Sequence, residues 1–257
     1  MHCFSFDIET IPDVDSGRLL YDLDGLSDDD VGTAMRFMRL QQTGSDFLPL
    51  HLQRVVAISV AFRTGDSFKV WSLGDRDADE AEIIGRFFEG VERYSPELVS
   101  WNGSGFDLPV LHYRALKHGI QAPRYWETGD HDREFRYNNY LSRFHWRHID
   151  LMDVLAGFQP RGRASLEQIA VMLGFPGKLG MSGDKVWDCW LDGGIDDIRN
   201  YCETDVLNTH LVYLRFQLMR GELDEKRLDR EYELVRTTIE AMGESHLDEF
   251  LKAWQAG

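Results

Sequence analysis

Hydrophobic and polar positions alternate at the start of the chain. Between residues 3 and 10, Phe4, Phe6 and Ile8 are separated by polar side chains. A period of two residues is typical of a β-strand with one buried face. Four later segments also have strand character, and the first two of them flank a Thr-Gly-Asp turn that predicts a hairpin. These four segments are residues 55–62, 67–72, 98–101 and 148–151.

Helical patterns occupy most of the remaining chain. Asp77, with Glu80 three residues later, resembles a capping box and predicts a helix that reaches about Val91. Further helices are predicted over residues 108–118, 165–173 and 195–219, in the tail at 222–254, and near 31–41. Three strands in succession, followed by alternating helices and strands, predict a mixed five-stranded α/β sheet flanked by helices.

Composition narrows the class of protein. The 257 residues carry 28 basic and 44 acidic side chains, for a net charge of −16, which argues against a protein that coats nucleic acid. An enzyme that holds phosphate through divalent metals stays possible. The sequence lacks an apolar run that could cross a bilayer, and its first strand leaves no room for a secretion leader. We therefore expect a cytoplasmic protein without membrane contact.

The three cysteines do not suggest a metal or disulfide framework. Cys3, Cys189 and Cys202 show neither CxxC spacing nor the spacing of a disulfide-rich domain. We interpret them as small apolar side chains.

Acidic side chains stand out in three of the predicted elements. Asp7 and Glu9 are two residues apart on the first strand, so both leave the same face, and a metal is the usual reason to hold two acids together. Asp107 begins a helix after a strand, and Tyr201 precedes Asp205 by one turn of the long helix. Taken alone, each feature has a simpler interpretation: a solvated strand end, a helix N-cap or a partly exposed helix face.

The combination of these features is more specific than each of them. Asp-Ile-Glu at 7–9, Asn-x₃-Phe-Asp at 102–107 and Tyr-Cys-Glu-Thr-Asp at 201–205 occur in the order of the three exonuclease motifs of the DEDD superfamily. The chain resembles the tyrosine branch of that superfamily, and most closely the predicted exonucleases related to the proofreading domain of B-family DNA polymerases. The histidine branch would need histidine where this chain has Asn200. The resemblance covers about residues 3–216.

This resemblance implies a ribonuclease H-like fold and a two-metal 3′→5′ exonuclease that releases nucleoside 5′-monophosphates from single-stranded nucleic acid, with DNA favoured over RNA. It implies two Mg²⁺ or Mn²⁺ ions and a water that Tyr201 orients and helps to deprotonate. The implied metal ligands are Asp7, Glu9, Asp107 and Asp205. We expect Thr10, Asn102 and Phe106 to contact the substrate.

A basic, aromatic segment lies between these motifs. Residues 133–148 contain four arginines and one glutamate, for a charge of +3, and Arg143, Trp146 and Arg147 are candidates for binding a single strand. Alternatively, its aromatic side chains close a small core of their own. Asp150 is either an acid that supports the site or a helix cap, and we interpret His210 as a surface or packing residue.

We expect residues 1–220 to form the exonuclease domain, with an acidic surface insertion at about 13–50, and residues 221–257 to extend it as helices. The tail is too short for a polymerase domain. Two alternatives remain open. One is an exoribonuclease or a hydrolase of short oligonucleotides, and the other is a nucleic-acid-binding module that has lost catalysis, although all four acids and the tyrosine are present.

Overall fold

The computed structural model describes residues 2–256, which contain one five-stranded sheet in the order β3-β2-β1-β4-β5. β1 pairs antiparallel with β2 and parallel with β4, and β4 pairs parallel with β5. The predicted mixed sheet and all five of its strands are therefore confirmed. The strands are β1 (His2–Pro12), β2 (Gln53–Thr64), β3 (Ser67–Ser72), β4 (Glu97–Ser100) and β5 (His148–Asp150).

The helices agree with the prediction in most places. The long helix α8 has the predicted bounds, whereas the helical tail is divided into α9 and α10, and the short helices α1 and α7 were not predicted. The helices are α1 (Val14–Tyr21), α2 (Asp28–Thr43), α3 (Glu80–Tyr94), α4 (Asp107–His118), α5 (Leu151–Leu155), α6 (Leu166–Met172), α7 (Val186–Leu191), α8 (Ile195–Met219), α9 (Glu225–Met242) and α10 (Ser245–Ala256).

The predicted capping box at the start of α3 is wrong. The N-cap is Asp79, whose side chain accepts a hydrogen bond from the backbone N–H of Glu82 at 2.8 Å. Glu80 does not turn back toward the cap, because its carboxylate accepts hydrogen bonds from Arg114 and from the backbone N–H of Val55. The carboxylate of Glu80 therefore binds its buried partners and does not cap the helix.

Both faces of the sheet are covered by helices. Phe4, Phe6 and Ile8 of β1 pack into a core with α3 and α4, which confirms the buried face predicted from their spacing. The opposite face packs against α8, and the same core continues into α9 and α10 through Tyr232 and Trp254. The long helix therefore lies against the face of β1 that carries Asp7 and Glu9.

The acidic insertion has a core of its own. Val31 and Met35 of α2 are buried together with Ile11 at the end of β1 and Trp187 of α7. The insertion is thereby held against the end of the strand that carries the acidic pair. No helix within residues 2–256 has the length and apolar character needed to span a bilayer.

Candidate active site

The acidic pair lies where β1 changes its register against β2. Glu9 is opposite Ala57, whereas Thr10 is opposite Val55, so Val56 is the extra residue of a β-bulge. Glu9 is buried and Asp7 is half-buried. The bulge begins directly after the two acids, at the end of the straight part of the strand.

Helix α8 brings its own polar residues to this pair. Tyr201 is 5% exposed and Asp205 is 7% exposed, so the interpretation as a partly exposed helix face is wrong. Ligand atoms of Asp7, Glu9 and Cys202 lie within 4.8 Å of one another. The thiol of Cys202 also donates a hydrogen bond to the backbone oxygen of Asp7 at 3.4 Å, which holds α8 close to β1.

Asp107 reaches the cluster from the start of α4. It is buried and is the first residue of the helix, whereas the N-cap position belongs to Phe106, which makes no side-chain capping bond. The N-cap interpretation of Asp107 is therefore wrong. The carboxylate is free to face β1.

The turn that leads into α4 is held by Asp150. Its carboxylate accepts hydrogen bonds from the backbone N–H groups of Asn102 at 3.0 Å and Ser104 at 2.9 Å. It also caps α5 by accepting from the N–H of Asp153 at 3.3 Å. The helix-cap interpretation of Asp150 is thus confirmed, and the same carboxylate also fixes the turn before Asp107.

A close approach inside this turn requires glycine. A Cβ atom at Gly103 would collide with the hydroxyl of Ser100. Ser100 is itself buried and hydrogen-bonded to His148 at 2.8 Å. The turn after β4 is therefore packed tightly against the sheet, and it gives Asp107 a fixed position.

The pKa values of all four acids lie above their usual range. Burial raises the pKa of Asp7, and the charges of Asp107, Glu9 and Asp205 raise it further. Burial and neighbouring charge likewise raise the pKa of Glu9, and burial raises that of Asp107 to about 7 and that of Asp205 to about 6. The cluster therefore has too much negative charge for its own protein environment.

Little positive charge balances these acids. Within residues 2–256, none of the four acids forms an ion pair with Lys, Arg or His. Lys178 is near enough to lower the pKa values of Glu9 and Asp205, and its Nζ lies 5.7 Å from the ring centre of Tyr201. The charge of one lysine does not neutralise four carboxylates.

The donor set fits a hard divalent cation. Oδ1 of Asp205 is buried and has no hydrogen-bond partner among the described residues, although buried polar atoms nearly always have one. Carboxylate oxygens are the ligands that Mg²⁺ and Mn²⁺ prefer. Burial and the charges of Asp7 and Glu9 raise the pKa of Cys202, and its thiol donates a hydrogen bond to the backbone oxygen of Asp7. Sulfur is also a softer ligand than Mg²⁺ and Mn²⁺ prefer.

A cleft of about 480 Å³ opens beside Glu9. Thr10, Asn102 and Phe106, three of the six residues predicted to bind substrate, all line it. The structure therefore brings these three together next to the acidic cluster. Arg36, Asp46, Phe47 and Leu48 of the insertion also line this cleft, although the sequence predicted no role for the insertion in the site.

Some side chains of the basic segment 133–148 are packed against the protein, and others are exposed. The guanidinium of Arg147 lies 3.8 Å from the ring centre of the buried Phe135 and donates a hydrogen bond to the carbonyl of Asn138 at 2.7 Å. Arg147 therefore serves to hold the segment together. Arg143 pairs with Asp153 at 2.7 Å, and Trp146 is 43% exposed.

Sequence reasoning missed two contributors to the site. Cys202 was interpreted as a filler and Lys178 was not considered. His210 is fully buried and hydrogen-bonded to Ser5 at 3.1 Å, so the packing role is correct and the surface role is wrong. The position of Cys202 inside the Tyr-Cys-Glu-Thr-Asp motif was the one available signal for it.

The chain is similar to exonuclease domains of DNA polymerases. A family model described as a predicted 3′-5′ exonuclease related to the exonuclease domain of PolB matches residues 45–254. A DNA polymerase of Archaeoglobus fulgidus is 25% identical over 174 residues, which are 66% of this chain and 21% of the polymerase.

Two further relatives are the catalytic polypeptide of DNA polymerase epsilon from Schizosaccharomyces pombe and DNA polymerase 1 of Saccharolobus solfataricus. The first is 24% identical over 150 residues, or 54% of this chain and 6% of the relative. The second is 44% identical over 45 residues, or 18% of this chain and 5% of the relative. The chain thus spans about a fifth of the Archaeoglobus polymerase and far less of the other two. Together with the five-stranded sheet, the family match confirms the ribonuclease H-like fold class.

Proposed function

The chain belongs to the family of predicted 3′→5′ exonucleases related to the exonuclease domain of PolB, and we propose that it removes nucleotides from the 3′ end of single-stranded DNA with the help of two divalent cations. The observation that carries this proposal is the buried, uncompensated cluster of four acids, in which Asp205 retains an oxygen without a partner among the described residues. A divalent cation would supply the missing partner.

Four carboxylates would hold the cations. When bound, Mg²⁺ or Mn²⁺ would place positive charge against the scissile phosphate and its leaving oxygen. Asp7 and Glu9 offer oxygens from β1, and Asp205 offers one from α8. Asp107 completes the set from α4, and the hydrogen bonds that Asp150 accepts keep the preceding turn in place.

Tyr201 would orient the attacking water rather than take its proton. Burial and the charges of Asp205, Glu9 and Asp7 raise the pKa of Tyr201 well above its usual value. A phenol that stays protonated is a hydrogen-bond donor, so Tyr201 can fix the position of the water but is a poor base. The burial of Tyr201 one helical turn before the buried Asp205 supports the tyrosine branch, with a positioning role for the phenol.

The substrate would enter through the cleft beside Glu9. Thr10 and Asn102 supply polar groups there, and Phe106 supplies an aromatic face of the kind on which the bases of a single strand stack. Arg143 and the exposed Trp146 remain candidates for binding the strand further from its end. DNA is preferred because the relatives are named as DNA polymerases.

We propose that residues 1–220 carry this activity, with residues 221–257 as a helical extension of the same domain. The burial of Tyr232 and Trp254 in the core shared with α8 supports that assignment.

The test is hydrolysis of end-labelled strands. A 5′-labelled single-stranded DNA thirty-mer should be shortened stepwise in Mg²⁺ or Mn²⁺, nucleoside 5′-monophosphates should appear, and EDTA should abolish the reaction. An RNA of the same sequence and a dinucleotide serve as matched alternatives. Cleavage by the pure protein that persists in EDTA would contradict the proposal. Degradation of the RNA alone, or of the dinucleotide alone, would mean that this molecule and not the DNA strand is the substrate.

A further inference from the structure

One wall of the cleft beside Glu9 comes from the acidic insertion. Arg36 of α2 and Phe47 of the segment after α2 line this cleft together with Phe106. The rings of Phe47 and Phe106 are 5.8 Å apart between centres, so the two phenylalanines form one aromatic surface. Phe47 is nevertheless 56% exposed, and it therefore has a free face toward the cleft.

Hydrogen bonds anchor the backbone around Phe47 to the strand that carries Glu9. Leu48, the next residue, is buried, and its carbonyl accepts a hydrogen bond from Gln53 at 3.2 Å. Gln53 in turn accepts a hydrogen bond from the hydroxyl of Thr10, the residue after Glu9, at 3.0 Å. Arg39 donates to the carbonyl of Phe47 at 3.3 Å. An exposed ring on a backbone anchored to the acidic strand is suited to receive a flat ligand.

Arg36 is the cation of this cleft. The described residues that line it include Glu9, Asp46 and Asp184 but no other Lys or Arg. The guanidinium of Arg36 forms no ion pair or side-chain hydrogen bond with the residues between 2 and 256. A phosphate group entering among three acids needs a nearby positive charge, and Arg36 is available to provide it.

We propose that the insertion is a substrate-binding element that holds the 3′-terminal nucleotide: its base stacks on the surface formed by Phe47 and Phe106, and Arg36 binds its phosphate. This rests on the proposed exonuclease function. Stacking on an aromatic surface is tolerant of sequence because every base has a flat face. The insertion therefore fixes the position of the strand end without selecting a base.

The aromatic part is tested with Phe47→Ala on two strands that differ only at the 3′ end. The variant should raise KM about tenfold on a normal strand while leaving kcat nearly unchanged, the pattern of lost uniform binding. On a strand with an abasic 3′-terminal nucleotide, the wild type should already have the high KM, and the variant should add nothing. Phe37→Ala changes an exposed phenylalanine of α2 outside the cleft. This matched control should behave as the wild type does on both strands.

An equal loss on both strands would mean that Phe47 acts through the fold, and an unchanged KM would mean that it does not touch substrate. Either result overturns the proposal. A wild-type protein that hydrolyses no strand would instead refute the exonuclease function itself, so the two failures are distinguishable.

The charged part is tested by salt titration of strand binding. Arg36→Gln should flatten the log–log dependence of affinity on salt by about 0.7 for one lost phosphate contact on a single strand. Lys226→Gln removes one positive charge from the exposed face of α9 and should leave the slope unchanged. Equal slopes for Arg36→Gln and the wild type would show that Arg36 does not bind a phosphate, which would overturn this part of the proposal.

Discussion

β1 and α4 bring buried acids together at two places, and the two places differ in charge balance. At the first, Asp7 and Glu9 face Asp107 with no ion pair among the described residues. At the second, Asp13, the residue after β1, pairs with Arg114 of the same helix, and both side chains are almost fully buried. Arg114 also pairs with Glu80. We call Asp7, Glu9 and Asp107, together with Asp205 of α8, the unbalanced group. Asp13, Glu80 and Arg114 form the balanced group.

The pKa values respond in opposite directions. In the unbalanced group, burial and neighbouring carboxylates raise the pKa values of Asp7 and Glu9. In the balanced group, burial acts to raise the pKa of Asp13, but hydrogen bonds from Lys117, Ser16 and Arg114 hold it below its usual value. Burial alone therefore does not identify a functional acid. A buried acid without a protein partner in the described chain is the better candidate, because a ligand can complete such a site.

The largest expected effect is on catalysis at the unbalanced group. Asp7→Asn should reduce the rate of strand hydrolysis about 10³-fold or more, because a cation contributes several kcal/mol to the transition state and each 1.36 kcal/mol is tenfold. Rates are measured on end-labelled single-stranded DNA at saturating Mn²⁺, with circular dichroism to verify folding. Asp13→Asn is the comparison variant and should keep the wild-type kcat.

A folded Asp7→Asn variant that retains a tenth of the activity would show that Asp7 holds no essential cation. A loss of kcat in folded Asp13→Asn would remove the distinction between the two groups.

The next effect is on stability at the balanced group. Arg114→Met should lower the free energy of unfolding by about 3–5 kcal/mol, because it leaves the buried carboxylates of Asp13 and Glu80 without their partner. Urea denaturation measures the loss. Arg86→Met removes the exposed pair with Glu82 and should leave the free energy of unfolding almost unchanged. A loss below about 1 kcal/mol for Arg114→Met would mean that water replaces the arginine.

A third prediction concerns completion of the unbalanced group by metal. Mg²⁺ or Mn²⁺ at a hundred times its dissociation constant should stabilise the fold by about 2.7 kcal/mol through mass action, with a rise in Tm that EDTA reverses. Asp205→Asn should lose this rise, whereas Asp13→Asn should keep it. Without metal, Asp205→Asn should be at least as stable as the wild type, since one repelling charge is gone. Equal metal-induced shifts in both variants would contradict a cation at the four acids.

Most of the sheet and of the acidic motif could be predicted from local pattern. The alternation in β1 and the periodicity of α8 are local properties, so their positions were recovered. The short helices α1 and α7 were missed because each buries few side chains and is stabilised by packing against distant residues such as Met35 and Ile11. The cap at Asp79 was misplaced because three aspartates, at 75, 77 and 79, compete as caps in the same turn.

The electrostatic environment could not be predicted from the sequence. Nothing local distinguishes Asp13, which has Arg114 as a partner from 101 residues away, from Asp7, which has none among the described residues. Lys178 reaches the site from a loop, and Arg36 reaches the cleft from α2, whose place against the sheet no local periodicity determines. The type of chemistry was therefore predictable from the motifs, whereas the balance of charge and the walls of the cleft required the fold.

The smallest expected effect is the acid dependence of the balanced group. Because the folded-state pKa of Asp13 is lowered, its stabilising contribution is present above the unfolded pKa of about 3.9 and is lost as pH falls below it. The wild type should lose about 1 kcal/mol more than Asp13→Asn between about pH 5 and pH 3, since at most one proton is taken up on unfolding. Urea denaturation in EDTA at both pH values gives this double difference, and other acids cancel because both proteins contain them. The charged groups around Asp13, namely Arg114, Lys117, His118 and Glu80, are unchanged in the variant.

Asp7→Asn, analysed in the same way, should not reduce the acid sensitivity of the wild type, because Asp7 has no cationic partner to lose among the described residues. A double difference of zero for Asp13→Asn would mean that Arg114 and Lys117 do not lower the pKa of Asp13, and the two groups of acids would then be electrostatically alike.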